Sequence, residues 1–248
     1  MEGTDALGVL DEVAAAIGVA LGRLDDWGPA GTRAGQYHSD LAADAAALAV
    51  LEPAGVGVLS EESGRHWAER AVTVVVDPLD GSTNASRGIP WYATSLCAVD
   101  GDGPLAALVV NLASDVRFSA VRGKGASAGD RPVRPSGATT LGQSIVGLSG
   151  LPPRWLGWKQ YRALGAAALD LCAVAAGVVD AYVDCSAGAH GPWDYLGGLL
   201  VCTEAGALVA DADGDELVVL DHDARRTPVA AATQALLDEA LAARRTFT

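Results

Sequence analysis

Apolar residues Leu7, Leu10, Ala14, Ile17, Leu21 and Leu24 recur three or four positions apart, the period of a helix that hides one face. Thr4 or Asp5 is placed to cap it. Residues 27–39 break the pattern with Gly, Pro and polar side chains and read as loop, and 41–52 returns to an Ala-rich helical spacing. Then the period changes. Residues 56–60 and 72–76 are short, β-branched and almost wholly apolar, the mark of buried strands. Residues 94–100, 105–111 and 116–121 read as antiparallel strands, because Gly101-Asp102-Gly103-Pro104 and Ala113-Ser114-Asp115 between them have turn chemistry. Gly123-Lys124-Gly125 is a hairpin turn rather than a phosphate-binding P-loop, whose other residues it lacks. Further on, 143–148 reads as a strand, 151–159 as a surface crossing, 163–177 as a helix and 178–184 as a strand. A helix over 193–204, a strand over 217–220 and a closing helix over 233–244 complete the pattern. Strands come in runs between helices, without regular βαβ alternation, so the expected fold is layered α+β.

Composition narrows the function. A chain of 248 residues, half of them hydrophobic, can bury a sizeable core as one large domain or two tightly joined halves. Lys and Arg number 17 against 31 Asp and Glu, a formal charge of −14. That balance argues against nucleic-acid and anionic-membrane partners. It also sets a problem for any anionic substrate unless bound cations reverse the local field. Cys97, Cys172, Cys185 and Cys202 are scattered without a C-x-x-C, which reads as buried free thiols. The acidic N-terminus is not a signal peptide, and no apolar run reaches the ~18 residues of a membrane span, so a soluble cytoplasmic protein is expected.

The chemistry is concentrated where strands end. The strand at 72–76 runs into Asp77-Pro78-Leu79-Asp80-Gly81-Ser82-Thr83-Asn84, two carboxylates in a Pro-containing turn followed by amides placed for an anion. The strand at 56–60 ends in Glu61-Glu62-Ser63-Gly64. Far downstream, Trp193-Asp194 puts an acid in the first turn of a helix that closes with Glu204-Ala205-Gly206. Singly, such acids also serve as caps and turn formers. Together, Glu61, Asp77, Asp80 and Asp194 supply the hard oxygens that magnesium prefers. Carboxylates beside an anion cradle are the minimum kit for phosphate-ester chemistry.

From about Asp44 to Gly206 these three motifs, in this order, resemble the inositol monophosphatase family of Mg-dependent, lithium-sensitive phosphatases. The connecting pieces Ile89-Pro90-Trp91-Tyr92-Ala93 and Gly123-Lys124-Gly125-Ala126 fit as well. The resemblance implies an αβαβα sandwich of the inositol monophosphatase and fructose-1,6-bisphosphatase type. It implies a single domain over 1–248, whose halves, roughly 1–150 and 151–248, meet at the active site, and usually a homodimer. It implies two Mg²⁺ ions, with a third left open. Glu61 and Asp77 with the Leu79 carbonyl would hold one; Asp77, Asp80 and Asp194 would hold the other. Substrate would meet Asp80, Gly81, Ser82, Asp184 and Asp194, with catalysis by Glu61, Ser82 and Asp44.

Several positions depart from the family's pattern. Ser82 stands where Thr is usual and reads either as a water-orienting hydroxyl or as a helix N-cap. Its expected partner is Asp44, within Asp40-Leu41-Ala42-Ala43-Asp44, where helix capping is the alternative. The family's upstream lysine is matched only loosely by Arg33. Asp184 replaces a Glu, Ala166 replaces a hydroxyl residue, and the segment 185–192 is longer, so a substrate-facing loop is expected there. Glu62 reads as a supporting or solvated acid, and His190 as a loop side chain. The substrate expected is a small polyol phosphate such as inositol 1-phosphate, hydrolysed by metal-activated water. Adenosine 3′,5′-bisphosphate, histidinol phosphate and fructose 1,6-bisphosphate are rivals, the first disfavoured because no basic residue stands out for a second phosphate. A non-catalytic binding protein on the same fold is the rival of a different class.

Overall fold

The computed structural model describes residues 1–31 and 35–247. The chain begins with α1 (Gly3–Leu21), α2 (His38–Leu51), β1 (Gly57–Ser60), β2 (Gly64–His66), β3 (Thr73–Asp80) and the short α3 (Ser82–Arg87). Then come β4 (Ala93–Asp100), β5 (Gly103–Asn111), β6 (Val116–Val121), β7 (Gly125–Ala128) and β8 (Arg131–Pro132). There follow β9 (Ile145–Ser149), β10 (Gln160–Arg162), α4 (Ala167–Ala175), β11 (Ala181–Asp184), α5 (Pro192–Ala205), β12 (Leu208–Asp211), β13 (Pro228–Ala231) and α6 (Gln234–Arg244).

The strands form two sheets, ordered β2-β1-β3-β4-β5-β6-β7-β8 and β10-β9-β11-β13-β12. Their period-two alternation builds the layers. In β3, Val74 and Val76 pack with Leu10 and Ile17 of α1 and Ala47 of α2. Val75 faces the other way, onto Leu169 and Leu171 of α4 and Leu196 of α5. In β11 of the second sheet, Tyr182 joins that same middle layer. Ala181 and Val183 turn outward to meet Leu236, Leu237 and Ala240 of α6. The result is α1/α2, sheet, α4/α5, sheet, α6: the αβαβα sandwich that the sequence led us to expect.

Helix α5 lies unusually close to its neighbours, and two glycines make this geometry. A Cβ on Gly197 would come within 2.7 Å of Ser95 Oγ in β4, and one on Gly198 within 2.6 Å of Leu171 Cβ in α4. Small side chains let backbones approach, so the N-terminus of α5 reaches the end of β3. At the other end, Glu204 accepts hydrogen bonds from the Gly123 and Gly125 amides, both at 2.8 Å, and clamps the predicted hairpin turn between β6 and β7.

Some expectations fail. Residues 217–220 are not a strand; Leu217 is buried in irregular chain, and its carbonyl accepts the Tyr195 hydroxyl at 2.8 Å. The expected helix at 163–177 is trimmed to α4. Among the described residues no helix is long and apolar enough to cross a membrane.

Candidate active site

The end of β3 is irregular in a way that matters. Asp77 pairs with Ser95 and Asp80 with Ala93, so three steps on β3 match two on β4. Such a bulge inserts one residue, and Pro78, which has no amide hydrogen to give a ladder, is tolerated there. In a regular strand, positions three apart face opposite sides; the extra residue brings Asp77 and Asp80 to the same one. Asp77 is almost fully buried, and its Oδ1 accepts the Leu79 amide at 3.0 Å. Asp80 Oδ2 accepts the Ala168 amide at 2.8 Å, in the first turn of α4.

Glu61 arrives from the end of β1, parallel to β3, with its amide on the Val76 carbonyl. Asp194 arrives from the first turn of α5, with its carboxylate accepting the Gly191 amide at 2.7 Å. Ser95 Oγ donates to the Trp193 carbonyl at 3.2 Å and pins that turn to β4. Carboxylate oxygens of Glu61, Asp77 and Asp194 thereby lie within 4.8 Å of one another.

Four acids so close disfavour one another's charge. Burial, then Asp194, Glu62, Asp80 and Asp40, push Glu61 up to about 8. Burial and the Asp194 charge raise Asp80 to about 7 against the Ala168 amide and the nearby His190. Burial, Glu61, Asp80 and Asp194 hold Asp77 well above the usual carboxylate range. A bound divalent cation removes that conflict, and Glu61, Asp77 and Asp194 offer carboxylate oxygens at the mutual spacing of ligands, so these three residues fit magnesium.

Gly81 turns the chain from β3 into α3 with φ +82°. A Cβ there would meet the Gly165 and Trp91 carbonyls, each at 3.1 Å. Gly81, not Ser82, is the N-cap of α3, and Ser82 is the first helical residue, facing a cavity of 440 Å³ shared with Asp40, Glu61 and Leu79. Asn84 Nδ2 donates to the Trp91 and Leu164 carbonyls, both at 2.7 Å, and ties α3 to the chain leading into α4.

Asp44 is not brought to this cavity. Its buried carboxylate accepts the Ser60 hydroxyl at 2.5 Å, and Ser60 Oγ in turn accepts the Glu62 amide. Asp44 therefore braces the Glu61–Glu62 turn from behind. Asp40, one helical turn earlier on α2, lines the cavity, and its carboxylate accepts the Tyr37 amide at 2.8 Å. Glu62 accepts from Gln36. Arg33 lies outside the described residues.

His190 is no loose loop residue. Its Nδ1 is 3.4 Å from Asp194, and its Nε2 lies 3.7 Å from Asp184 and 3.2 Å from the Tyr182 hydroxyl. Burial opposes its protonation, yet the Asp194 hydrogen bond and the Asp194, Asp184 and Asp80 charges raise it to about 9. Asp184 is fully buried, which raises its carboxyl, while His190 lowers it. Segment 185–191 does not wall the cavity by itself; it pairs with the loop 221–227 through His190 and Arg226 and through the Gly188 amide on Thr227. That second loop supplies two lining residues that sequence reasoning missed, His222 and Arg225.

Five alternating layers with a carboxylate cluster at the junction of β1, β3 and α5 define a layered α+β protein with a magnesium-type site. The chain belongs to the inositol monophosphatase family, whose model matches residues 40–247. It is 37% identical over 179 residues to an inositol-1-monophosphatase of Mesorhizobium japonicum, covering 65% of each chain. It is 34% identical over 176 residues to a fructose-1,6-bisphosphatase of Pyrococcus furiosus, covering 68% of this chain and 67% of that one. Among solved structures, a Pyrococcus horikoshii protein described as having similarities for inositol-1 monophosphatase superposes with TM-score 0.83 at 26% identity, over 97% of this chain and 96% of that one.

Proposed function

We propose that this protein is a Mg²⁺-dependent phosphoric monoester hydrolase acting on a small polyol phosphate of the inositol 1-phosphate kind. The observation that carries the proposal is the approach of Glu61, Asp77 and Asp194 within 4.8 Å, beside a cavity lined by Ser82. Glu61, Asp77 and Asp194, with Asp80 and the Leu79 carbonyl, would hold the metal. Bound Mg²⁺ supplies Lewis acidity, activating water and neutralising phosphate charge.

The chain's own residues do the rest. The Gly81 and Ser82 amides hold phosphate oxygens at the start of α3. Ser82, released from capping, orients the attacking water with Asp40, rather than Asp44, as the nearer acid. Asp80 is held by the Ala168 amide, so its remaining oxygen points where a ligand or substrate hydroxyl needs it. Asp184 and Asp194, joined through His190, border the leaving group. The two halves of one domain meet at this cleft, with Glu61, Asp77 and Asp80 from the larger sheet and Asp194 from the helix layer behind it.

Phosphate release from a panel of monoesters, with Mg²⁺ and with EDTA, tests the reading. Turnover of inositol 1-phosphate or glycerol 2-phosphate that EDTA abolishes supports it. A folded protein that releases no phosphate from any member of the panel overturns it and favours a binding protein on this fold. A homodimer is the assembly we infer, supported by exposed Leu151, Trp155 and Tyr161 near the edge strand β10; a monomeric mass in sedimentation equilibrium would exclude it.

A further inference from the structure

The loop 221–226 carries a cation into an acid-lined cleft. Arg225 lies over the Trp193 ring, with its guanidinium carbon 5.2 Å from the ring centroid. His222 stacks on the same ring at 4.8 Å, and its Nε2 lies 3.2 Å from the Glu61 carbonyl. Trp193 immediately precedes Asp194. Arg225 is therefore one side chain removed from two members of the carboxylate cluster, and it lines the same 440 Å³ cavity as Glu61 and Ser82.

Its bonding is also distinctive. Nη1 donates to the His222 and Ala224 carbonyls, both at 2.8 Å, which fixes the plane of the guanidinium. Among the described residues, Nε and Nη2 have no hydrogen-bond partner and no carboxylate pairs with Arg225, although the chain has 31 acids. Arg117 and Arg122, by contrast, are both paired with aspartates. A held, unpaired guanidinium presents two parallel donors, the geometry that fits a carboxylate or phosphate in bidentate fashion. Arg225 is solvent-exposed whereas the carboxylate cluster is sunk at the strand ends, so the two differ in depth along the cavity.

Resting on the hydrolase reading, we propose that Arg225 is a specificity-determining residue that binds a second acidic group on the substrate, remote from the phosphate being hydrolysed. The preferred substrates are then phosphate monoesters that carry another phosphate or a carboxylate. Arg225 places a positive charge in a cleft that Glu61, Glu62 and Asp40 also line. With it, the far end of the substrate is anchored and the reacting phosphate is held in register. The sequence alone showed no basic residue obviously placed for a second phosphate; Arg225 is the one we propose.

The test compares fructose 1,6-bisphosphate with fructose 1-phosphate, by initial rates of phosphate release under one Mg²⁺ condition, for wild type, Arg225→Ala, Arg225→Gln and Arg225→Lys. The wild-type kcat/KM should favour the bisphosphate at least tenfold. Arg225→Ala and Arg225→Gln should cut that ratio at least tenfold, chiefly through KM, and Arg225→Lys should keep part of it. A wild-type ratio near one, or a ratio that Arg225→Ala leaves unchanged, overturns the proposal. Should neither sugar phosphate be hydrolysed, the hydrolase reading is still judged by the monoester panel, separately from the subsite. Calorimetric titration with the same two sugars then decides the question: a Kd preference for the bisphosphate that Arg225→Ala removes upholds the subsite, and equal Kd values refute it.

Discussion

At the scale of residues, Ser82 is the position where structure separates two readings of one hydroxyl. Gly81 occupies the N-cap of α3, so removing the Ser82 hydroxyl costs no cap. Ser82→Ala should therefore leave the melting temperature within about 2 °C while lowering kcat about 10²-fold, with a smaller change in KM. A loss of stability with kcat intact would return Ser82 to a structural role. The acids Glu61, Asp77, Asp80 and Asp194 were legible because each is fixed to a strand or helix end by a short motif. Asp40 and Asp44 are four apart on α2, share a face, and differ in how far along the helix they sit; Asp40 is the one that lines the cavity. Sequence spacing does not say which one lies at the height of the cavity. Arg225 carried no signal, since it lies in a loop whose placement depends on pairing between 185–191 and 221–227.

Among elements, those whose own residues carry a clear apolar or β-branched pattern were readable, the short β1, β9 and β11 included, and those without one were not. α1, β4, β5 and β6 follow their predicted ranges within a few residues. β12 and β13 were missed because Leu-Val-Ala-Asp and Pro-Val-Ala-Ala hold too few β-branched residues to stand out; their pairing with each other and with β11 makes them strands. The run 217–220 showed the reverse, apolar enough for a strand but used as a lid over Tyr195. α3 showed in the sequence only as a helix start after Asp80, without an end, and it is held from outside by Asn84. Asn84→Ala removes two donors and leaves two carbonyls without them, a loss of about 2 kcal/mol. Urea unfolding should show a lower midpoint with an unchanged slope. A midpoint equal to wild type would mean that α3 docks without this tie.

For the whole molecule, the count and order of layers came from the family resemblance, because periodicity shows that a strand is buried without saying what covers it. What the assembled layers add is an electrostatic load. Glu61 and Asp80 hold their protons up to about 8 and about 7 in the metal-free fold. In the unfolded chain they ionise near the ordinary values of about 4. The stability tied to those protons is fully present below about pH 4 and is lost as pH rises through 7 to 8. Magnesium requires the ionised carboxylates and offsets the loss, so the rise in melting temperature on adding Mg²⁺ should grow from pH 5 to pH 8. Comparing both pH values with and without the ion cancels the titration of unrelated groups. An equal rise at both would show that the cluster is not the binding site.

The bulge in β3 makes pairing register itself part of the site. At its present length the strand end keeps Asp77 and Asp80 on one face only while one residue between them stays out of the ladder. Substitutions can accumulate around it, but one that let β3 pair evenly with β4 through residue 79 would turn Asp80 toward the α1/α2 layer without touching either acid. Lineages descending from this protein can therefore drift widely in composition while the irregularity between Asp77 and Asp80 stays locked.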